Sequence, residues 1–226
     1  MVSDRRSLLS LRPPGRRALR ILCLGAHADD IEIGCGGTLL GLTDRRPAPR
    51  MHWVVLSGNS ARQAEARRSA RSFLGESRAP EVTTHAFRES YFPAQYAAIK
   101  DALQALAKQV SPDLVLTHTR DDAHQDHRIV SELTWNAFRD HLILEYEVPK
   151  WDGDLGRPNL YVPVTRRSLE RKIRMLFSTF RSQRGKDWFD GETFRGLARL
   201  RGMECRSPSG FAEAFHAPKL TLTVGA

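Results

Sequence analysis

The feature that most constrains this chain is a repeated alternation between short apolar runs and segments of helical periodicity. "RILCLGA" (20–26) has the continuous apolar character of a buried strand, and "CGGTLLGLTD" (35–44) turns helical behind it. "HWVVLSG" (52–58) repeats the strand signal, and in "SARQAEARRSARSFLG" (60–75) the alanines and Leu74 recur at helical spacing before a stop at Gly75. "EVTTHAF" (81–87) and "PDLVLTH" (112–118) read as the third and fourth strands, with a helix over 95–110 between them. A helix over 127–141 then leads into "LILEYEV" (142–148), a fifth strand. Strands that are apolar throughout must be covered on both faces. The expected fold class is therefore α/β, a Rossmann-like three-layer sandwich with a mostly parallel central sheet.

Residues 149–163 are rich in Pro, Gly and Asp and read as a long loop. Helices over 167–183 and 191–202 and a closing strand over 210–217 complete the chain. Too little sequence follows the loop to build a second core, so residues 19–226 are expected to form one domain behind a basic flexible arm, 1–18. That arm dominates the charge. Six arginines against Asp4 within residues 1–20 give +5 of the net +9, leaving +4 for the other 206 residues. A basic arm is compatible with a nucleic-acid or anionic surface, but the four tryptophans are scattered and form no stacking ladder. No nucleic-acid partner is expected. No apolar run approaches the ~18 residues of a membrane span. Three widely spaced cysteines, Cys23, Cys35 and Cys205, form no disulfide framework and suit a reducing, cytoplasmic location. A homo-oligomer is compatible with the sequence.

Chemistry concentrates in two stretches. "LGAHADDIEIGCGGTL" (24–39) follows the first strand and "HTRDDAHQDH" (118–127) follows the fourth. In a parallel sheet both fall at the carboxyl edge, where ligands bind. Imidazole and carboxylate together suit a divalent metal, zinc above all. His27 and Asp30 with one histidine of the second stretch make a His₂Asp set, and Asp29 is left to take a proton from water. His124 and His127 lie three apart at a helix start, one available as ligand and the other as a polarising group. Taken singly, paired aspartates after a strand are often helix caps, and the glycines of "GCGG" lack the G-x-G-x-x-G spacing of a dinucleotide loop. The co-occurrence of both clusters at strand ends carries the metal reading. Cys35 reads as a small buried helix residue.

These stretches resemble the PIG-L/LmbE-like family of zinc-dependent N-deacetylases. The family's A-H-P-D-D and G-G-T-L segments correspond to "AHADD" and "GGTL", and its H-x-D-H to "HQDH". "RQAEARRSARSFLG" is similar to its R-x-x-E-A helix, with Arg62 and Glu65 in the matching places, and "FRSQ" and "FAEAF" also resemble family segments. The resemblance implies that His27, Asp30 and His127 hold Zn2+. It implies that Asp29 is the general base, that His124 stabilises the oxyanion or protonates the leaving amine, and that Asp126 orients a catalytic histidine. Ala28 stands where the family has proline, and the acid after the aspartate pair is displaced to Glu32, which receives no role.

The function so implied is hydrolysis of a linear amide: removal of acetate from an N-acetylated amino sugar, the partner being a small molecule or glycan. Amide-linked thiol conjugates and decorated antibiotics are alternatives within the same chemistry, and a basic nucleic-acid-binding module is the alternative from another class. Arg62 and the loop "EYEVPKWDGDLGRP" (145–158), through Glu147, Trp151 and Asp152, are the candidates for substrate contacts.

Overall fold

The computed structural model describes residues 11, 17–75 and 81–221. The apolar runs form β1 (Arg20–Gly25), β2 (Arg50–Ser57), β3 (Glu81–Phe87), β4 (Leu114–His118) and β5 (Ile143–Tyr146). The helices between them are α1 (Asp30–Thr43), α2 (Ser60–Leu74), α3 (Tyr96–Gln109) and α4 (Gln125–Ala137). After β5 come β6 (Leu160–Pro163), α5 (Arg166–Thr179), α6 (Gly191–Glu204) and β7 (Ala212–His216). The sheet order is β3-β2-β1-β4-β5-β7-β6. The first five strands are parallel, and β7 runs antiparallel to both of its neighbours. This is the α/β architecture with a mostly parallel sheet that the alternation implies.

Period-two burial builds the three layers. Ile21 and Cys23 of β1 face a core shared with α1, α2, α5 and α6, while Leu22 and Leu24 face one shared with α3 and α4. All four are 2% exposed or less. Burial of each Leu or Ile contributes roughly 1.5–3 kcal/mol. Every residue from Asp30 to Leu40 is buried, so α1 is enclosed by the sheet and its neighbouring helices rather than half solvated. Close approach requires glycine at position 34, where a Cβ would stand 2.2 Å from the Tyr146 ring.

Two sequence expectations are corrected. The first helix begins at Asp30, not at Cys35; Cys35 instead marks a break, with φ −141° and ψ 15°. The break is braced from outside the helix. Lys172 Nζ of α5 donates to Ile33 O at 2.6 Å and pairs with Glu213 Oε1 of β7 at 2.6 Å. Glu213 in turn accepts from the backbone N–H groups of Gly37 (2.8 Å) and Thr38 (2.6 Å). The buried pair thus satisfies the carbonyl and amides that the interrupted ladder releases. Second, the segment read as a loop over 149–163 contains β6, a partly buried edge strand whose ladder depends on β7, about fifty residues further on. Near the N-terminus, Arg45 donates to Leu11 O (3.1 Å), and Arg17 pairs with Asp113 (2.6 Å). The rest of the 1–18 expectation lies outside the described residues. Among the described residues no helix is long and apolar enough to cross a membrane.

Candidate active site at the β1–β4 switch

From β1 the chain steps outward through β2 and β3, then returns to β4 on the other side. Neighbouring connections therefore diverge at the carboxyl ends of β1 and β4, and the crevice this leaves holds both clusters. His27 lies in the turn after β1, and Asp29 and Asp30 start α1. His118 ends β4, His124 is the N-cap of α4, and Asp126 and His127 occupy its first turn.

The groups converge closely. His27 Nδ1 lies 3.1 Å from His127 Nε2 and 3.3 Å from Asp30 Oδ2, and His127 Nε2 is 3.5 Å from Asp30 Oδ1. Donors bonded to a tetrahedral zinc at 2.0–2.1 Å are separated by roughly 3.3 Å, so this spacing fits such an ion. Among the described residues, two overlapping donor groups could hold a metal, His27 with His124 and His127, and Asp30 with His118 and His127. The remote nitrogens of two of these rings are backed by carboxylates. His27 Nε2 faces Asp126 Oδ2 at 3.2 Å, and His127 Nδ1 faces Asp122 Oδ2 at 2.9 Å. Metal-ligating histidines are oriented in this way. Asp126 is itself clamped by the N–H groups of Ser90 (2.6 Å) and Phe92 (3.1 Å), and Asp122 by the His124 N–H (2.8 Å) and the Lys150 ammonium (3.0 Å).

His118 differs from the others. Its Nε2 is enclosed by the Ala26 N–H (3.0 Å), Asp30 Oδ2 (3.1 Å) and the Tyr146 hydroxyl (3.3 Å), and its ring stacks on His127. Its Nε2 accepts the Ala26 N–H, and burial with the His127 charge pushes the ring down to about 4. Burial also disfavours a charged His27, but Asp30 and Asp126 outweigh that and hold this ring at about 10. Asp30 shows the reverse balance: burial raises it, yet the surrounding imidazoles of His127, His27 and His118 keep it well below the carboxylate range.

Asp29 has one engaged and one open oxygen. Oδ1 accepts from Arg62 Nη2 at 2.6 Å, whereas the buried Oδ2 has no partner among the described protein groups. Burial raises its carboxyl, and Arg62 opposes that rise. Arg62 Nη1 also bonds Glu65 Oε2 and Ser182 Oγ, both at 3.0 Å, which ties α2 to the turn after α5. Arg62, read from the sequence as a substrate contact, here grips Asp29. His124 is half-buried; its Nδ1 accepts from the Asp126 N–H at 3.2 Å, and burial with the His127 charge lowers it.

The rim residues part company. Both oxygens of Glu147, read from the sequence as a sugar contact, are bound to Arg201 of α6 (2.5 and 2.9 Å) in a buried pair. Trp151 and Asp152 are exposed on the loop after β5. Two residues with site contacts, His118 and Asp122, received no role from the sequence, although both lie in the 118–127 stretch. A carboxylate five residues before a histidine was the available signal.

Carboxylate-backed histidines at the switch point of an α/β sandwich make a candidate metal site. The family model described as GlcNAc-PI de-N-acetylase, PIG-L, matches residues 22–138, which include both clusters, and the chain belongs to this family. It is 33% identical over 141 residues to the uncharacterized deacetylase YaiS of Escherichia coli, covering 57% of this chain and 74% of that protein. It is an N-deacetylase-type hydrolase. Among solved structures, an N,N'-diacetylchitobiose deacetylase from Pyrococcus horikoshii superposes with a TM-score of 0.68 at 22% identity, over 88% of this chain and 83% of that one. GalB, the 4-carboxy-2-hydroxymuconate hydratase of Pseudomonas putida, also reaches 0.68 at 17% identity, over 92% and 99%. Those likenesses show the fold, and a hydratase among them shows that the fold alone does not choose the reaction.

Proposed function

We propose that this protein removes the acetyl group from an N-acetylated amino sugar carried in a glycan, glycoconjugate or glycolipid precursor, releasing acetate and a free amine. The observation that carries the reading is the open, buried Oδ2 of Asp29 beside two carboxylate-backed histidines. His27, Asp30 and His127 would hold zinc, and His118 would not, because its Nε2 lone pair accepts the Ala26 N–H. Bound zinc supplies a Lewis acid for the acetyl carbonyl and lowers the pKa of water to roughly 7.

The chain's own groups divide the remaining work. Arg62 fixes Asp29 through Oδ1, so Oδ2 is the atom that takes the proton of the attacking water. Because His124 Nδ1 accepts from the Asp126 N–H, its proton sits on Nε2. The lowered pKa keeps the ring neutral, so Nε2–H donates to the developing oxyanion, a contribution on the order of 3 kcal/mol. The proton held on Asp29 then passes to the departing nitrogen, which leaves as an amine. Asp126 acts by orienting His27. The free cysteines, two of them buried, support a reducing compartment, the cytoplasm.

The test is acetate release across a panel of N-acetylhexosamine derivatives, with zinc content measured in the same preparations. The expected result is stoichiometric acetate and amine, with about one zinc per chain. Amide-linked thiol conjugates cleaved in preference to every acetyl sugar would replace the substrate class; loss of neither zinc nor activity in His27→Ala and His127→Ala would remove the ligand assignment.

A further inference from the structure

Among the described residues only Ser90 and Arg206 combine a side chain with a positive φ, and Ser90 stands at +67° in the turn between β3 and α3. Left-handed backbone is disfavoured for any residue with a Cβ. It persists where the surroundings over-determine it, and here they do. Gln125 of α4 donates its side-chain amide to Ser90 O at 3.2 Å. Gln95 closes the other side, accepting from the Arg88 N–H (3.0 Å) and donating to Arg88 O (2.9 Å) and Tyr91 O (3.2 Å). Fully buried Phe92 anchors the turn in the core below, its ring centroid 6.3 Å from that of His27. The exposed Ser90 hydroxyl has no bond among the described residues, so what this position supplies is backbone.

The turn holds a carboxylate. The Ser90 N–H donates to Asp126 Oδ2 at 2.6 Å and the Phe92 N–H to Oδ1 at 3.1 Å. N–H groups two residues apart converge on one anion when the backbone between them alternates in hand, forming a concave nest. Ser90 at φ +67° followed by Tyr91 at φ −125°, ψ 20° supplies that alternation. With an ordinary negative φ at position 90 the two N–H groups would diverge. Each oxygen of the buried Asp126 thus has its own donor, which stops the carboxylate from rotating, and Oδ2 stays aimed at His27 Nε2, 3.2 Å away.

We infer that Ser90 is a positioning residue for the metal: its left-handed backbone forms a nest that fixes Asp126 and, through Asp126, the ring of His27. This rests on the reading of His27 as a ligand. The experiment measures zinc affinity of the full chain by chelator competition, with Tm taken on the metal-free protein. Ser90→Pro has no N–H and a φ near about −65°; it weakens zinc binding by about tenfold or more, the scale of losing a group that orients a ligand. Ser90→Gly keeps the N–H and adopts positive φ freely, so it retains native affinity, as does Ser90→Ala, which loses only the hydroxyl. Gln125→Leu, which frees Ser90 O, gives a smaller loss than Ser90→Pro. Unchanged affinity in Ser90→Pro with native Tm overturns the inference, and so does an equal loss in Ser90→Gly. Where Ser90→Pro fails to fold, unchanged affinity in Gln125→Leu overturns it. If the wild type binds no zinc, the ligand assignment fails, and NMR of the metal-free protein still tests the nest. An exchange-protected His27 Nε2–H resonance, assigned by its loss in His27→Gln, that persists in Ser90→Gly and weakens in Gln125→Leu supports it. Its absence from the wild type, or its full persistence in Gln125→Leu, overturns it.

Discussion

The start of α1 and the break in the middle of its buried stretch carry charge on opposite terms. At its start, Asp30 sits among imidazoles and Asp29 against the Arg62 guanidinium, and Asp29 Oδ2 is buried without a partner among the described residues. At the Cys35 break, Lys172 and Glu213 are as deeply buried, yet each is satisfied by the other and by backbone groups. Both regions place charge in the core, which costs desolvation unless it is paired. The difference is what remains open. A closed network holds a helix in shape; an open one keeps an atom available for a proton. Glu147 with Arg201 belongs with the closed kind, although its place in the sequence suggested the rim.

The contrast breaks if stability and catalysis fail together in both regions. The largest effect is expected at the closed one: Lys172→Ala leaves Glu213 buried and unpaired, and unfolding titrations should show a loss of about 3–5 kcal/mol. At the open end, Asp29→Asn should lower kcat by roughly 10²-fold or more, while zinc content and Tm stay close to wild type. A large Tm loss in Asp29→Asn would place this residue with the structural pairs.

A third effect sharpens the comparison through protons. In the metal-free protein His27 is held at about 10, above the unfolded value near 6.5. The stability this gives is complete below the unfolded value and is lost as pH rises through 10. A metal has to displace the same proton. Zinc affinity measured by competition with a chelator should therefore rise by about tenfold per pH unit below that point for each proton released. A flat profile would mean His27 is already neutral. The smallest effect is expected at the surface, where Arg17 pairs with Asp113 in solvent. Arg17→Ala should leave Tm and activity unchanged within measurement, since exposed pairs are screened.

Much of the site was legible because it is written in two contiguous stretches. His27, Asp29, Asp30, His124, Asp126 and His127 lie within a few residues of two strand ends, and strand ends are readable from local apolar runs. Arg62 was found by motif, but not its partner. His118 and Asp122 went without roles because their meaning depends on contacts: the His118 ring is defined by Ala26, 92 residues away, and Asp122 by the ring it faces across the first turn of α4.

The sequence by itself determined the βα alternation, the parallel half of the sheet and the edge on which the chemistry lies. Each of these follows from side-chain periodicity over ten or fifteen residues and from the connections such units require. Only the tertiary structure decided that β7 would insert between β5 and β6, that α1 would break at Cys35, and which carboxylates would be closed and which left open. Glu213 reaches Gly37 across 176 residues. No local pattern encodes such a pairing, because a buried charge takes its partner from whatever the packed layers bring within hydrogen-bond reach.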